Sequence, residues 1–213
     1  MIYDIDIAKQ VAKSLLQINA IILQPNNPFK WAAGWNSPIY CDNRKTLSYP
    51  EIRTFIKQGL AAIVKNHYKG TNVIAGVATA GIPHGALVAE ELGLPFIYVR
   101  SKAKEHGKQN QIEGYFEEGQ SVVLIEDLIS SGKSSLDAAQ TLKEAGMNVK
   151  GMVSIFTYGF DAAAENFRNA DCEYVALCDY DTLLPQAIEQ QYIEKSDLEI
   201  LKQWRENPSI WKK

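Results

Sequence analysis

The sequence predicts an α/β fold in which a mainly parallel central sheet is flanked by helices. Short apolar runs rich in β-branched residues alternate along the chain with stretches of helical period. The run at 122–125 is continuously apolar, as in a strand that is buried on both faces of a parallel sheet. The 213 residues are enough for one such domain with a sizeable core. We therefore predict one domain, residues 1–213.

The composition argues against several classes of protein. A net charge of -3 gives no electrostatic basis for binding nucleic acid. Asp4 and Asp6 precede any apolar run, which argues against a signal peptide, and no apolar segment is long enough to cross a membrane. The three cysteines form no Cys-x-x-Cys pair, which is typical of reduced thiols. These features predict a cytoplasmic protein with neither a nucleic-acid nor a membrane partner.

The N-terminal third mixes helices with a turn-rich segment. Residues 4–18 place apolar side chains along one stripe of a helix. Residues 25–40 are rich in aromatic and turn-forming residues and predict two short strands joined by a turn near Gly34. Pro50 predicts the start of a helix that runs to about Asn66. We expect this N-terminal part to form a subdomain folded over the sheet.

The remaining chain alternates regularly between the two kinds of element. Strands are predicted at 73–77, 95–99, 121–126, 149–156 and 173–178, and helices at 82–92, 133–145, 161–168, 181–189 and 196–206.

Residues 121–135 combine a strand, an acidic pair, a small polar loop and a helix. Glu126 and Asp127 interrupt the apolar run and predict its end. The loop 130–134 follows, and its N–H groups together with the positive end of the next helix would bind an anion such as a phosphate. Open α/β sheets bind ligands at the carboxyl ends of their strands, where these residues would lie.

Residues 100–119 differ from the rest in being polar and without period. Five cationic side chains fall within nine residues: Arg100, Lys102, Lys104, His106 and Lys108. A charged stretch of this length inside a compact domain is typical of an active-site lid.

Two common nucleotide-binding motifs are absent. The Gly-Lys-Ser at 132–134 resembles the end of a triphosphatase phosphate loop, but that motif needs a glycine at position 127, which is an aspartate here. No Gly-x-Gly-x-x-Gly follows any strand. We therefore exclude the triphosphatase and dinucleotide-binding readings.

Residues 123–134 resemble the phosphoribosyl-diphosphate motif of the type I phosphoribosyltransferases. The segments 100–107, 29–30, 37–40 and 75–83 are similar to those of one branch, the orotate phosphoribosyltransferases. The matches span residues 29–135, about half the chain. This resemblance implies the type I phosphoribosyltransferase fold, with residues 1 to about 45 contributing a small hood over the active site.

The resemblance also implies a reaction and a set of roles. Orotate and 5-phospho-α-D-ribose 1-diphosphate (PRPP) would give orotidine 5′-phosphate and diphosphate, with Mg²⁺ bound mainly through the diphosphate. The acidic pair would hold the ribose 2′- and 3′-hydroxyls, and the catalytic candidates are Lys104, His106 and Asp127. The PRPP-binding candidates are Arg100, Lys104, His106, Glu126, Asp127, Leu128, Ile129, Ser130, Ser131, Gly132, Lys133 and Ser134. In the family the lid serves the neighbouring subunit, so a homodimer is expected.

Recognition of the base is less well defined by the sequence. Lys30, Tyr40 and Ser130 are the candidates, because a lysine suits the carboxylate of orotate and an aromatic ring suits a pyrimidine. Some family members use an arginine that follows the strand after the motif. The matching segment 155–160 has no arginine, which leaves open how the carboxylate is held.

Two alternatives remain at this point. A purine-specific transferase of the same fold would lack the orotate-type arginine, although the lid sequence argues against it. A regulatory protein that senses PRPP would need a basic face or a recognition helix for nucleic acid. The net charge of -3 argues against the first, and the lack of an N-terminal DNA-binding segment argues against the second.

Overall fold

The structure is a computed structural model that describes residues 1–31, 34–101 and 111–212. The α-helices are α1 (Ile5–Gln17), α2 (Pro50–His67), α3 (Gly81–Leu92), α4 (Lys133–Glu144), α5 (Asp161–Asn169), α6 (Tyr180–Glu189) and α7 (Leu198–Glu206). The strands are β1 (Ile21–Leu23), β2 (Phe29–Lys30), β3 (Asn36–Ser37), β4 (Ile39–Cys41), β5 (Val73–Val77), β6 (Phe96–Val99), β7 (Ile112–Glu113), β8 (Ser121–Ile129), β9 (Asn148–Thr157) and β10 (Tyr174–Asp179). Short 3-10 helices cover Asn43–Ser48 and Lys195–Asp197.

The central sheet has six strands in the order β10-β9-β8-β5-β6-β7. The first five are mutually parallel, and β7 runs antiparallel to β6. Strand β5 is buried along its whole length, so helices must cover both faces of the sheet there. The predicted mainly parallel α/β architecture is confirmed.

The direction in which the chain adds strands to the sheet reverses between β5 and β8. The chain passes from β5 through α3 to β6 on one side, and from β8 through α4 to β9 on the other. Right-handed crossovers in opposite directions place α3 and α4 on opposite faces of the sheet, and the loops after β5 and β8 therefore diverge. Ligands of open α/β sheets bind in the crevice at such a point.

Two small antiparallel sheets precede the central sheet. Strands β2 and β3 pair Phe29 with Ser37, which confirms the two strands predicted around Gly34. Strands β1 and β4 form a second pair that the sequence did not predict. The sequence placed the expected hood at residues 1 to about 45. Both pairs and the first 3-10 helix lie within 21–48, and from here on the hood means this segment.

Strand β8 is longer than predicted. The sequence placed its end at Glu126, but the strand continues through both acids to Ile129. The register explains why: Glu126 pairs with Ser154 and Ile129 pairs with Thr157 on β9. The hydrogen bonds between strands join backbone groups, so a charged side chain does not prevent pairing. The acids therefore end the apolar run but not the strand.

The C-terminal helix α7 is anchored through Trp204, which is fully buried. Its indole lies 5.6 Å from the ring of Trp31 in the hood, measured between centroids, and 5.5 Å from that of Tyr158 after β9. Phe160 and Tyr180 complete the cluster at 5.4 and 5.5 Å. The cluster therefore joins the hood, the end of β9 and α6 to one another.

No helix among the residues described here is long and apolar enough to cross a bilayer.

The aromatic cluster gives a stability prediction. Trp204→Ala should lower the free energy of unfolding by about 3–5 kcal/mol, because it leaves a cavity among four rings. Trp35→Ala removes the same side chain from a site where 36% of it is exposed, and should cost about 1 kcal/mol or less. Chemical denaturation of both variants measures the difference, and equal costs would contradict the anchoring role of Trp204.

Candidate functional site

The two diverging loops touch each other at the reversal point of the sheet. Gly81 begins α3, and a Cβ built on it would lie 2.3 Å from the carbonyl oxygen of Ile125 in β8. Any side chain at 81 would therefore push the loop 78–81 away from β8. The glycine lets the loop pack directly beside the strand that carries the acids.

The polar loop after β8 leads into the N-terminus of α4. Gly132 is the N-cap residue, with φ 76° and no side-chain cap on the helix. A Cβ on Gly132 would lie 2.4 Å from Cε2 of Phe167, so both its backbone conformation and its surroundings require glycine. The uncapped N–H groups and the helix dipole favour an anion at this place.

The acidic pair lies just before this loop. Glu126 is buried, and its carboxylate accepts a hydrogen bond from Ser135 Oγ at 3.0 Å and one from the Asp127 N–H at 3.1 Å. Asp127 is half-buried, and its carbonyl oxygen accepts a hydrogen bond from Asn43 Nδ2 at 2.7 Å. Asn43 therefore ties the hood to the strand that carries the acids.

Burial and mutual repulsion make the pair reluctant to ionise. Burial, followed by the charge of Asp127, raises the pKa of Glu126 well above its ordinary value. Burial also raises the pKa of Asp127, against the opposing effects of its hydrogen bonding and of the Arg44 guanidinium. The pair therefore keeps a proton to a higher pH than an isolated carboxyl does. Hydroxyl donors or a positive charge beside the pair would favour the ionised form.

One cleft, with a volume of about 60 Å³, lies between the loop after β5 and α4. Ala78, Arg100, Ser134 and Thr141 are among its lining residues. The Arg100 guanidinium is 3.5 Å from a carboxylate oxygen of Glu113 on β7. Arg100 and Ser134, which the sequence predicted for one ligand, thus line the same cleft.

The other predicted lid cations, Lys102, Lys104, His106 and Lys108, lie outside the described residues.

A second cleft, with a volume of about 300 Å³, lies beneath the hood. Its lining residues are Trp31, Trp35, Ser130, Ser131, Phe160, Asp161, Ala162, Arg205, Glu206 and Pro208. It combines indole surface, hydroxyl groups and one guanidinium, which suits a flat, anionic ring. Of the three residues predicted for the base, Ser130 lines this cleft.

The other two base candidates lie elsewhere on the hood. Lys30 is exposed on β2, and Tyr40 on β4 is 40% exposed with its ring 5.6 Å from that of Phe29. Neither residue lines the cleft.

Leu128, Ile129 and Lys133 complete the predicted loop residues. Leu128 and Ile129 belong to β8, and the carbonyl oxygen of Ile129 accepts hydrogen bonds from Tyr158 N and Thr157 Oγ1. Lys133 is the first residue of α4 and is exposed.

Sequence reasoning missed four residues near the site: Asn43, Arg44, Ser135 and Arg205. Arg44 Nε donates to Asp42 Oδ1 at 2.6 Å on the hood, and this interaction lowers the pKa of Asp42. Arg205 comes from α7, about 75 residues after the loop that it faces. No spacing rule links such distant positions, and only the chain fold brings them together.

Within the described ranges, no group of three or more His, Cys, Asp or Glu side chains is arranged to hold a metal ion.

Comparison with known proteins gives a consistent result. Residues 49–179 match the model of the phosphoribosyl transferase domain. The chain is 53% identical to an orotate phosphoribosyltransferase from Cytophaga hutchinsonii over 96% of this chain and 98% of that one. It is 52% identical to one from Listeria innocua over 97% and 99%. The crystal structure of orotate phosphoribosyltransferase from Aeropyrum pernix superimposes with a TM-score of 0.74 at 26% identity, covering 83% of this chain and 97% of that one.

The burial of Glu126 predicts that its charge lowers the free energy of unfolding of the ligand-free protein. Because the folded pKa of Glu126 is raised, the folded protein binds more protons than the unfolded chain above about pH 4.5, and stability falls as pH rises towards the folded pKa. Glu126→Gln should therefore stabilise the ligand-free protein at pH 8 by about 1 kcal/mol. The gain should shrink as the pH falls through 4.5, because below the ordinary pKa of the unfolded chain the wild-type carboxyl is protonated in both states.

Denaturation at several pH values measures this effect, with the exposed Glu165→Gln on α5 as the control. A Glu126→Gln protein that is less stable than the wild type at pH 8 would contradict the assignment of a destabilising buried charge.

Proposed function

The chain belongs to the orotate phosphoribosyltransferase family, and we infer that it transfers ribose 5-phosphate from PRPP to orotate in de novo pyrimidine biosynthesis. The products are orotidine 5′-phosphate and diphosphate, which makes the enzyme a pentosyltransferase of class EC 2.4.2.10. The observation that carries this inference is the 53% identity to an orotate phosphoribosyltransferase over nearly the whole of both chains. The acidic pair and the anion loop at the carboxyl end of β8 support it.

We propose that the acidic pair and the loop hold the ribosyl donor. Glu126 and Asp127 accept hydrogen bonds from the ribose 2′- and 3′-hydroxyls. The loop from Leu128 to Ser134 surrounds the 5′-phosphate with N–H and hydroxyl donors at the N-terminus of α4. As the bond from C1 to the diphosphate oxygen breaks, positive charge grows on the ribose ring, and the Asp127 carboxylate stabilises it. Orotate N1 then bonds to C1 and loses its proton, which leaves with the diphosphate or to solvent.

The leaving diphosphate needs cations. We assign this role to Arg100, Lys104 and His106, of which Arg100 lines the cleft beside the loop after β5. Mg²⁺, held mainly through the diphosphate, would supply further positive charge to the leaving group. Carboxylate and phosphate oxygens are ligands that Mg²⁺ prefers, and the buried carboxylates of Glu126 and Asp127 fit its neighbourhood. Positioned charge therefore contributes more to catalysis than proton transfer does.

We assign the base to the cleft beneath the hood. Ser130 supplies a hydroxyl there, and Lys30 and Tyr40 are proposed to act from the hood strands. The indoles of Trp31 and Trp35 supply the apolar surface that a pyrimidine ring needs.

Three further features of the enzyme are proposals. It is a single domain of residues 1–213 with the hood over its site, supported by one buried core that extends from α1 to α7. It acts in the cytoplasm, as its free cysteines favour. It works as a homodimer in which the lid of each subunit serves the site of its partner.

One assay tests the reaction. The absorbance of orotate should fall when PRPP and Mg²⁺ are added to the protein, and the same assay with adenine, guanine, hypoxanthine and uracil should show little turnover. Turnover of a purine in place of orotate would overturn the substrate and leave the fold intact. Binding of PRPP without turnover of any base would favour a regulatory protein.

Mixing two inactive variants distinguishes a lid that acts on the partner's site from a lid that acts on the site of its own subunit. Lys104→Ala and Glu126→Gln should each lose activity at least ~10-fold. In an equal mixture refolded together, half of the dimers are mixed, and each mixed dimer has one intact site if the lid crosses the interface. Activity should then recover to about a quarter of the wild-type value.

No recovery on mixing would contradict the shared lid. Size-exclusion chromatography of the wild type supplies the control, because a monomer would rule out sharing directly.

A further inference from the structure

The end of β9 is where some family members carry the arginine that contacts orotate, and this chain has none there. Its residues are Thr157, Tyr158 and Gly159. The ring of Tyr158 is buried against Trp204, and Thr157 Oγ1 donates to the carbonyl oxygen of Ile129. Neither side chain offers a positive charge to a carboxylate.

A guanidinium from another part of the chain occupies this region. Arg205 lies on α7, and its Nη1 would be 3.7 Å from a Cβ built on Gly159. Arg205 also lines the cleft beneath the hood together with Ser130, Trp31 and Trp35. Because Trp204 fixes α7 in the aromatic cluster, the adjacent Arg205 has a defined position.

We propose that Arg205 binds the carboxylate of orotate and thereby selects orotate over pyrimidines that lack this group. The inference rests on the proposed function and names the residue that replaces the missing arginine. A Cβ at 159 would be in ordinary van der Waals contact with the guanidinium, so Arg205 lies directly beside the end of β9. The cation is thus supplied from α7 rather than from β9.

The guanidinium has donors to spare. Arg205 Nη1 donates to Asp181 Oδ2 at 2.7 Å, and 31% of the Arg205 side chain is exposed. An arginine carries five N–H donors in a planar fork, so one bond to Asp181 leaves an edge for a second carboxylate. The hydrogen bond to Asp181 fixes the orientation of the guanidinium plane.

The charges around the cleft make this cation necessary for an anionic ligand. Asp161 and Glu206 line the cleft and Asp181 pairs with Arg205, so three carboxylates lie near it. Without Arg205 they would repel the carboxylate of orotate but not a neutral pyrimidine. Loss of the arginine should therefore alter selectivity rather than weaken all ligands equally.

The cleft also has the right relation to the ribose site. Ser130 follows Asp127 by three positions along and just beyond β8, a distance of about 10 Å, which is within the length of a nucleotide. A ribose held at the acids can therefore place its base towards Ser130 and Arg205.

Arg44 is the rival for this role. It pairs with Asp42 on the hood, and its charge acts on Asp127. This places it beside the ribose acids, and it does not line the cleft that contains Ser130 and the indoles.

The experiment compares two nucleotides that differ only in the carboxylate, orotidine 5′-phosphate and uridine 5′-phosphate. Their dissociation constants are measured by calorimetry, which needs no turnover. Arg205→Gln should reduce the preference for orotidine 5′-phosphate at least ~10-fold while the affinity for uridine 5′-phosphate changes little. Arg205→Met, whose side chain keeps the packing on α7, should give the same result.

Three control variants define the outcomes. Lys202→Ala removes an exposed cation from the same helix, Asp181→Asn removes only the ion pair, and Arg44→Gln tests the rival; all three should keep most of the preference. Full preference in both Arg205 variants, or its loss in Arg44→Gln alone, would overturn the proposal. A wild type that neither turns over orotate nor prefers orotidine 5′-phosphate would instead refute the proposed function.

Discussion

The burial of two adjacent carboxylates at the end of β8 is the constraint on which the rest of the site depends. Charges inside a protein must be paired, hydrogen-bonded or neutralised. Ser135 and the Asp127 N–H satisfy Glu126, and a retained proton lowers the remaining cost. A ligand that donates hydroxyl hydrogen bonds to the pair, and that gains positive charge as it reacts, would therefore stabilise the ionised form of these carboxylates. In the proposed reaction, the cost of burying the ionised pair without a ligand would be reduced both on binding and in the transition state.

The reversal of the sheet beside β5 gives this pair its surroundings. The loops after β5 and β8 diverge there, so a ligand can reach the acids, and Gly81 and Gly132 bring backbone closer than any side chain would permit. Asn43 joins the hood to the carbonyl oxygen of Asp127. The sites proposed for donor, leaving group and base therefore come from three different parts of the chain around one strand end.

The sequence predicted local features well and distant ones poorly. Apolar runs and helical periods located the five long strands and α1–α7, because burial on a regular backbone leaves a repeating pattern. The acids and the loop 130–134 were found because they break that pattern. The true end of β8 was missed, since it depends on pairing with β9, and β1 and β4 are too short to show a period. Arg205 was missed because α7 reaches the cleft only through the packing of Trp204.

The last described residues are fastened to the hood. Lys212 Nζ donates to the carbonyl oxygen of Pro25 at 2.8 Å, Asn36 Nδ2 donates to the carbonyl oxygen of Lys212, and Trp211 is buried. Loss of these contacts would leave the acidic pair and the loop 130–134 unchanged and still free the hood from α7. Substitutions at 211 and 212 would therefore alter the cleft beneath the hood without touching the strand end that carries the acids.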